Sequence, residues 1–294
     1  MRILLVLLLL SFTSLMQGVE IKKQKINGVE LAYYTRGQGE PMVMIMGFKG
    51  TMAFWDPALL EELEKHFTLI LFDNRGVGLS TDTQEDKTTI AQMAEDTAEL
   101  IKALGYEKAH ILGWSLGSRI ALQLTLNQPE KVRTLTLCSP NPGGKYQAVR
   151  RTPAYTELTS THLSDEAALR LLFPEQEGKK ALAEFVLRLG KAVVAGTVPD
   201  DLQFKQETVN RQLRALQEWD RNNTIYEKLP SIRTPTLVTG GLQDVLDSPE
   251  NVRIVARRIP FAWSAYFPNA GHAFLAQAHS EFARLVILFA QTTK

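Results

Sequence analysis

Ile111-Leu112-Gly113-Trp114-Ser115-Leu116-Gly117-Ser118 joins an apolar strand to a helix through a G-x-S-x-G turn. Glycines two residues before and two after a serine let the backbone reverse so sharply that the hydroxyl stands exposed at the strand's end. Such a serine is a candidate nucleophile, although a glycine-rich strand-to-helix turn can also be purely structural. The choice turns on whether the rest of the chain brings a general base, an acid and oxyanion donors to the same place.

Upstream of this turn, residues 21–26 and 29–35 flank Asn27-Gly28, a dipeptide suited to the positive φ angles of a two-residue hairpin. Met42-Val43-Met44-Ile45-Met46 is a continuous apolar run ending at Gly47, as expected of a strand covered on both faces. A short helix over 57–66 and a strand over 67–72 should follow, then the glycine- and charge-rich turn 73–80. A helix is expected over 89–104, with apolar residues at helical spacing and Gly105 as its stop. Downstream, the helix after Ser115 runs to about Asn127 and a further strand covers 132–137. Strands and helices in this alternation imply right-handed crossovers and a mostly parallel sheet, an α/β fold opened by an antiparallel hairpin.

Between 141 and 226 the rhythm changes. Helical patterns near 164–172, 178–190 and 200–220 succeed one another, with Ser164 before Asp165 and Glu166 as a helix start. No flexible linker borders this stretch, so it reads as a helical cap inserted into a core made of 19–140 and 227–294. An independent domain is the alternative. The α/β rhythm resumes with a strand at 235–239 and a helix around 248–258, and a strand at 263–267 and a helix over 276–291 finish the chain.

The 294 residues are 45% hydrophobic and 22% charged, as in an ordinary globular protein with a sizeable core. Thirty-three basic against 32 acidic residues leave a net charge of +1, which carries no electrostatic footprint for nucleic acid or for an anionic membrane surface. A small neutral molecule is the expected partner, and nothing in the sequence specifies an oligomeric state. Met1-Arg2, the apolar run 3–10 and the polar residues after it follow a signal-peptide pattern over 1–18, too short for a comfortable membrane span. The expectation is therefore export, to a periplasm or beyond the cell. Cleavage after Gly18 would leave Met16 where a small residue is preferred, so an uncleaved N-terminal anchor, the one route to a membrane, is an alternative, as is a first element of the fold. Cys138 is the only cysteine, lies in an apolar strand pattern, and cannot form an internal disulfide.

A serine hydroxyl is protonated near neutral pH, so a base must take its proton as it attacks. Of the five histidines, His66 and His110 fall at the ends of elements and read as structural, while His162 lies in the cap. His272 differs: Asn269-Ala270-Gly271-His272 follows the last strand, and catalytic residues of an open parallel sheet collect at that edge. His279, on the final helix, is the alternative. No histidine pair has the spacing of a zinc helix, so neither a metal nor a cofactor is indicated. The loop 240–247 offers the acid. Asp244 follows the glycine turn directly, and Asp247 reads as a cap for the helix beginning near Ser248, with Asp244 as a mere turn residue the bland alternative. Main-chain N–H groups of Leu116 and of Phe48 in the Gly47 loop are candidates for the oxyanion hole. Met52 and Trp114, with Phe54 and Trp55, lie near this constellation in sequence and are candidates for an apolar pocket wall; ordinary core packing is the alternative for Phe54 and Trp55.

G-W-S-L-G at 113–117, D-N-R-G-V-G-L-S at 73–80, the G-x-x-D loop ending at Asp244 and G-H at 271–272, in the order Ser, Asp, His, resemble the α/β-hydrolase superfamily in its capped branch. The resemblance implies an α/β-hydrolase fold, a triad of Ser115, Asp244 and His272, and an oxyanion hole from Phe48 and Leu116. It also implies that Asp73 and Arg75 tie loops together beneath the site. One departure is Met46-Gly47, where members commonly carry His-Gly. Members that are epoxide hydrolases or haloalkane dehalogenases use aspartate where this chain has Ser115, and the H-G-G-P-G of proline-type aminopeptidases is absent. The expected activity is hydrolysis of an ester of a small or medium apolar carboxylic acid through an acyl-enzyme. Acyl transfer, peracid formation or cleavage of an amide or carbon–carbon bond on the same triad, and a non-catalytic ligand-binding module, are the rivals.

Overall fold

The computed structural model describes residues 18–83, 85, 88–148, 153–160, 165–202 and 205–293. The apolar leader, His162 and the helix start at Ser164 lie outside the described residues. The chain opens with a hairpin, β1 (Lys22–Ile26) and β2 (Val29–Arg36), turned by Asn27 and Gly28 at φ 45° and 82°. Both angles are in the left-handed region that Asn-Gly tolerates. Then come β3 (Glu40–Ile45), α1 (Pro57–Leu63), β4 (Phe67–Phe72), α2 (Ile90–Ala103), β5 (Ala109–Trp114), α3 (Leu116–Asn127) and β6 (Val132–Cys138). Helices α4 (Pro153–Leu158), α5 (Asp165–Leu172), α6 (Glu175–Val194), α7 (Gln206–Arg221) and α8 (Thr224–Lys228) separate β6 from β7 (Thr236–Gly241). Helix α9 (Pro249–Arg258), β8 (Trp263–Phe267), α10 (Phe274–Gln277) and α11 (His279–Thr292) complete the order.

Eight strands form one sheet in the order β1-β2-β4-β3-β5-β6-β7-β8. Pairing is antiparallel for β1 with β2 and β2 with β4, and parallel for all the rest. The pleat sends alternate side chains to opposite faces. Val43 and Ile45 enter the core beneath α2, α3 and α9, whereas Met42 and Met44 enter the one beneath α1, α10 and α11. This double covering is why β3 reads as an unbroken apolar run. Helix starts follow the capping rule: Asp56 before Pro57, Thr89 before α2 and Ser248 before α9 each accept a main-chain N–H from the first turn.

Several elements differ from the sequence expectation. Helix α1 ends at Leu63 rather than at His66, because the β2–β3 loop passes against this corner; a Cβ on Gly37 or Gly39 would collide with the backbone at Glu64 to Phe67. The expected terminal helix breaks at Ala278, which leaves the helical region (φ −123°, ψ 42°) and lets α10 and α11 take different directions. Helix α7 begins at Gln206 instead of 200, and the main chain of Asp201 is held by the Thr51 hydroxyl at 2.7 Å. The short α4 and α8 had no counterpart in the pattern, since helices of six and five residues carry too little periodicity to register.

The turn after β4 is pinned by buried charge. Asp73 accepts the N–H of Met52 at 2.7 Å and of Leu79 at 3.0 Å, which ties two loops below the sheet edge. Burial pushes its carboxyl up to about 7, against the lowering effect of those two bonds. Arg75 makes a bidentate pair with Asp96 of α2, Nε to Oδ2 at 2.6 Å and Nη2 to Oδ1 at 2.9 Å. Asp96 also accepts Asn27 Nδ2 and Gln92 Nε2, so one carboxylate joins hairpin, turn and helix. Removing one partner of a buried pair strands the other charge. Asp96→Ala should therefore cost about 3–5 kcal/mol, read from the denaturant midpoint. Asp96→Asn, which keeps acceptor and shape, should cost less.

Candidate active site

Ser115 stands between β5 and α3 at φ 57°, ψ −116°, a conformation that a residue with a Cβ adopts only where its surroundings impose it. The imposition is visible in three glycines. A Cβ on Gly113 would strike Gly117, one on Gly117 would strike the carbonyl of Ile45, and one on Gly47 would come within 3.2 Å of Ser115 Cβ. The turn is further held by Ser115 N–H on Cys138 O at 2.9 Å and by Ser118 Oγ on Ser115 O at 2.6 Å.

The loop after β7 carries Asp244, whose carboxylate is fully engaged. Oδ1 accepts the N–H groups of Leu246 and Asp247, both at 2.9 Å; Oδ2 accepts Ser139 Oγ at 2.8 Å and faces His272 Nδ1 at 2.7 Å. An acceptor-only carboxylate places the proton on Nδ1, which leaves Nε2 as the other ring nitrogen. His272 sits in the loop after β8, where Gly271 N–H donates to Gln277 Oε1 and the His272 carbonyl accepts Trp114 Nε1 at 3.0 Å. Ser115 and His272 line one cavity of about 90 Å³.

Its remaining walls are almost wholly apolar: Phe48, Phe54 and Trp114 from the sheet edge, Leu172, Phe173 and Phe185 from the inserted helices. The main-chain N–H groups of Phe48 and Leu116 have no hydrogen-bond partner among the described residues. A residue-40-to-278 match to the sequence profile of the α/β hydrolase fold decides the lineage. The chain belongs to the α/β-hydrolase fold family. Among its relatives in that family is the proposed carbamate hydrolase RutD of Caulobacter sp. (strain K31), 29% identical over 255 residues, which cover 85% of this chain and 90% of that one. Another is the pimeloyl-[acyl-carrier protein] methyl ester esterase of Nitrosomonas europaea, 27% identical over 249 residues, 81% of this chain and 91% of that one. An α/β hydrolase fold protein from Chitinophaga pinensis superposes with a TM-score of 0.82 at 26% identity, covering 93% of this chain and 98% of that one. Family and relatives together support hydrolase activity.

Two sequence expectations are corrected within this α/β-hydrolase frame. Met52 does not line the cavity: its N–H is held by Asp73, its side chain is buried in the core, and Phe54, two residues on, takes the wall position instead. Trp55 is likewise core, its ring tilted 49° to that of Trp114 with 6.2 Å between ring centres. Asp247 is not the cap of α9, a role taken by Ser248; both its oxygens lie 3.1 Å from Nη2 of the buried Arg119 on α3. His279 begins α11 and is not part of the cavity lining, and His110 is buried between Thr134 and Glu40.

Sequence reasoning missed Ser139 and Arg119. Ser139 follows Cys138 directly at the carboxyl end of β6, the edge where functional groups gather, and that position was its signal. Arg119 interrupts the apolar pattern of Ile120-Ala121-Leu122, and an arginine facing a core implies a buried acidic partner. Burial alone would lower the His272 pKa, but the charge of Asp244, its hydrogen bond and the charge of Asp247 outweigh it, and the net direction is up. The His272 ring should therefore titrate above the ordinary histidine value of about 6.5 in an NMR pH titration. In Asp244→Asn the burial effect remains while its main opponent is lost, so the midpoint should move down.

Proposed function

We propose that this chain is a serine hydrolase that cleaves esters of small or medium, largely apolar carboxylic acids through an acyl-enzyme. The observation that carries the reading is the strained Ser115 elbow opening into the same apolar cavity as His272, whose Nδ1 is held by Asp244. Ser115 Oγ attacks the ester carbonyl as His272 Nε2 takes its proton. The tetrahedral oxyanion is met by the N–H groups of Leu116 and Phe48, both donors of the main chain, so that Met46 in place of histidine before Gly47 leaves the hole intact. Collapse expels the alkoxide, which receives the proton from His272, and the acyl group stays on Ser115. Water then attacks the acyl carbonyl with His272 again as base, releases the acid and restores the hydroxyl. Asp244 holds the ring in the tautomer this sequence needs and stabilises the imidazolium at each addition.

The substrate class follows from the walls. Ser115, His272 and Lys49 are the lining residues with polar side-chain groups facing this space, and the Lys49 amine is already turned to the carbonyl of Leu158 at 3.3 Å. An acyl chain loses little on entering such a lining, whereas a polar acid part would leave its water without replacement bonds. Carbamate cleavage is the second reading, favoured by the likeness to RutD. It would use the same attack and the same base, with the leaving group protonated by His272. The helices between β6 and β7 act as a cap over the site in either case, and substrates reach the serine beneath them.

Ser115→Ala should abolish covalent labelling by a fluorophosphonate probe and lower ester turnover by about 10⁴-fold or more. Persisting label or turnover would assign the nucleophile elsewhere. A series of aryl esters run against matched carbamates should show kcat/KM rising from acetyl to medium acyl chains and exceeding that of the carbamates; the reverse order would establish the second reading.

A further inference from the structure

Helix α6 presents two contrasting sides. Phe185, Leu189 and Ala192 are buried, while Ala183, Val186, Leu187, Gly190 and Val194 fall on the other side at helical spacing and are all exposed. Val186 is 49%, Leu187 58% and Val194 90% exposed, unusual for branched aliphatic side chains on one stripe. No charged residue interrupts it. Toward the start of the helix the stripe ends in Lys179 and in Lys180, which pairs with Glu184 at 3.9 Å, and Lys191 borders it. An apolar stripe edged by lysines is the pattern of a helix lying in a lipid interface, where the stripe sinks to the acyl boundary and the ammonium groups stay with anionic headgroups.

The position of the chain's beginning matches. Val19 N–H donates to the carbonyl of Gly196 at 2.7 Å, and Gly18 packs so closely on Gly196 that a Cβ there would lie 2.9 Å from Gly18 Cα. Residue 18 is thus held at Gly196, two residues past Val194 at the carboxyl end of α6. The sequence before it carries the apolar run 3–10 behind Arg2. Eight Cα-to-Cα steps lead from Leu10 to Gly18, a reach of at most about 30 Å, and the 20 residues of α6 are also about 30 Å long. The run is therefore tethered within one helix length of the stripe. It is shorter than the roughly 20 residues needed to span a bilayer, and no helix of the described residues is long and apolar enough to cross one. A short apolar segment binds lipid weakly alone, and a second apolar surface adjoining its point of attachment supplies the area it lacks.

We infer that the exposed stripe of α6 is a membrane-contact surface, seated on an anionic phospholipid bilayer in which the N-terminal apolar run of the same chain is embedded. This is independent of the bond the enzyme cleaves. It gives the molecule a fixed orientation, with Phe185 of the same helix lining the cavity.

Cys138 is buried and its thiol is pushed up to about 12 by that burial, so a cysteine placed on the surface reacts selectively. Leu187→Cys and Val194→Cys, with Lys102→Cys on α2 as reference on the other side of the sheet, are each introduced into the full chain and labelled with bimane. Each is then mixed with vesicles of phosphatidylcholine and phosphatidylglycerol. The chain should float with the vesicles, and bimane at 187 and 194 should shift to the blue and lose iodide quenching severalfold, with no change at 102. Three results would overturn the inference: no flotation, labels at 187 and 194 as quenchable as at 102 on floated protein, or shielding already complete without lipid, as a second copy of the chain would give. An unchanged circular-dichroism spectrum and thermal midpoint report that each labelled chain is folded, and Val186→Cys replaces either variant that is not.

Discussion

The closeness of two backbones at the end of the sheet governs the molecule. β5 lies between β3 and β6, and the turn that leaves it must pass over the end of β3 without room for side chains at 113, 117 or 47. Parallel pairing on both sides fixes where β5 stops, and the bond from Ser115 N–H to the carbonyl of Cys138 extends that pairing into the turn itself. The strain of a left-handed serine is thereby held by two strands and a helix packed beneath them, as strained functional residues require. The same crowding brings the Gly47 loop against Ser115, so the surroundings of Ser115 follow from the sheet's own geometry.

A second layer of buried polar bonds sets the register of the other loops. Asp244 has every acceptor direction used, which fixes its orientation before any substrate arrives. Three residues later Asp247 holds Arg119 of α3 and accepts Asn141 Nδ2 at 2.9 Å, so the acid loop, the helix that follows Ser115 and the strand end at β6 share one network. A buried ion pair adds little net stability over well-packed apolar groups, since desolvation offsets its attraction. Its use here is positional: α3 cannot turn or slide without unpairing Arg119, and with α3 goes Ser115.

Much of this was legible because it is local. The Asn27-Gly28 hairpin, the unbroken run of β3, the G-x-S-x-G elbow and the placement of Asp244 and His272 at strand ends all follow from backbone rules acting over a few residues. Met52 and Asp247 were misread for one shared reason. Each sits beside a loop whose direction is set by a partner far along the chain, Asp73 for one and Arg119 for the other, and no pattern within five residues reveals it. The cavity walls were hidden for a different reason. Phe173 and Phe185 look like any apolar positions on amphipathic helices, and only the docking of those helices over the sheet makes them neighbours of Ser115.

That docking combines polar ties with apolar packing. Ala273 N–H donates to Leu172 O, the Lys49 amine reaches Leu158 O, and Arg188 of α6 pairs with Asp56 at the start of α1. On α7, Gln212 accepts the Lys49 N–H, Thr208 donates to Gly76 O and Arg211 pairs with Asp82, while around the cavity the contact is apolar packing, which tolerates changes of shape better than hydrogen-bond networks do, provided volume is conserved. The elbow and the cavity walls are thus held by different kinds of interaction. The elbow and the Asp244 network are bound by directional bonds and close backbone approaches that admit almost no substitution. The walls are bound by volume and can be recast residue by residue while the serine, the histidine and the aspartate keep their places.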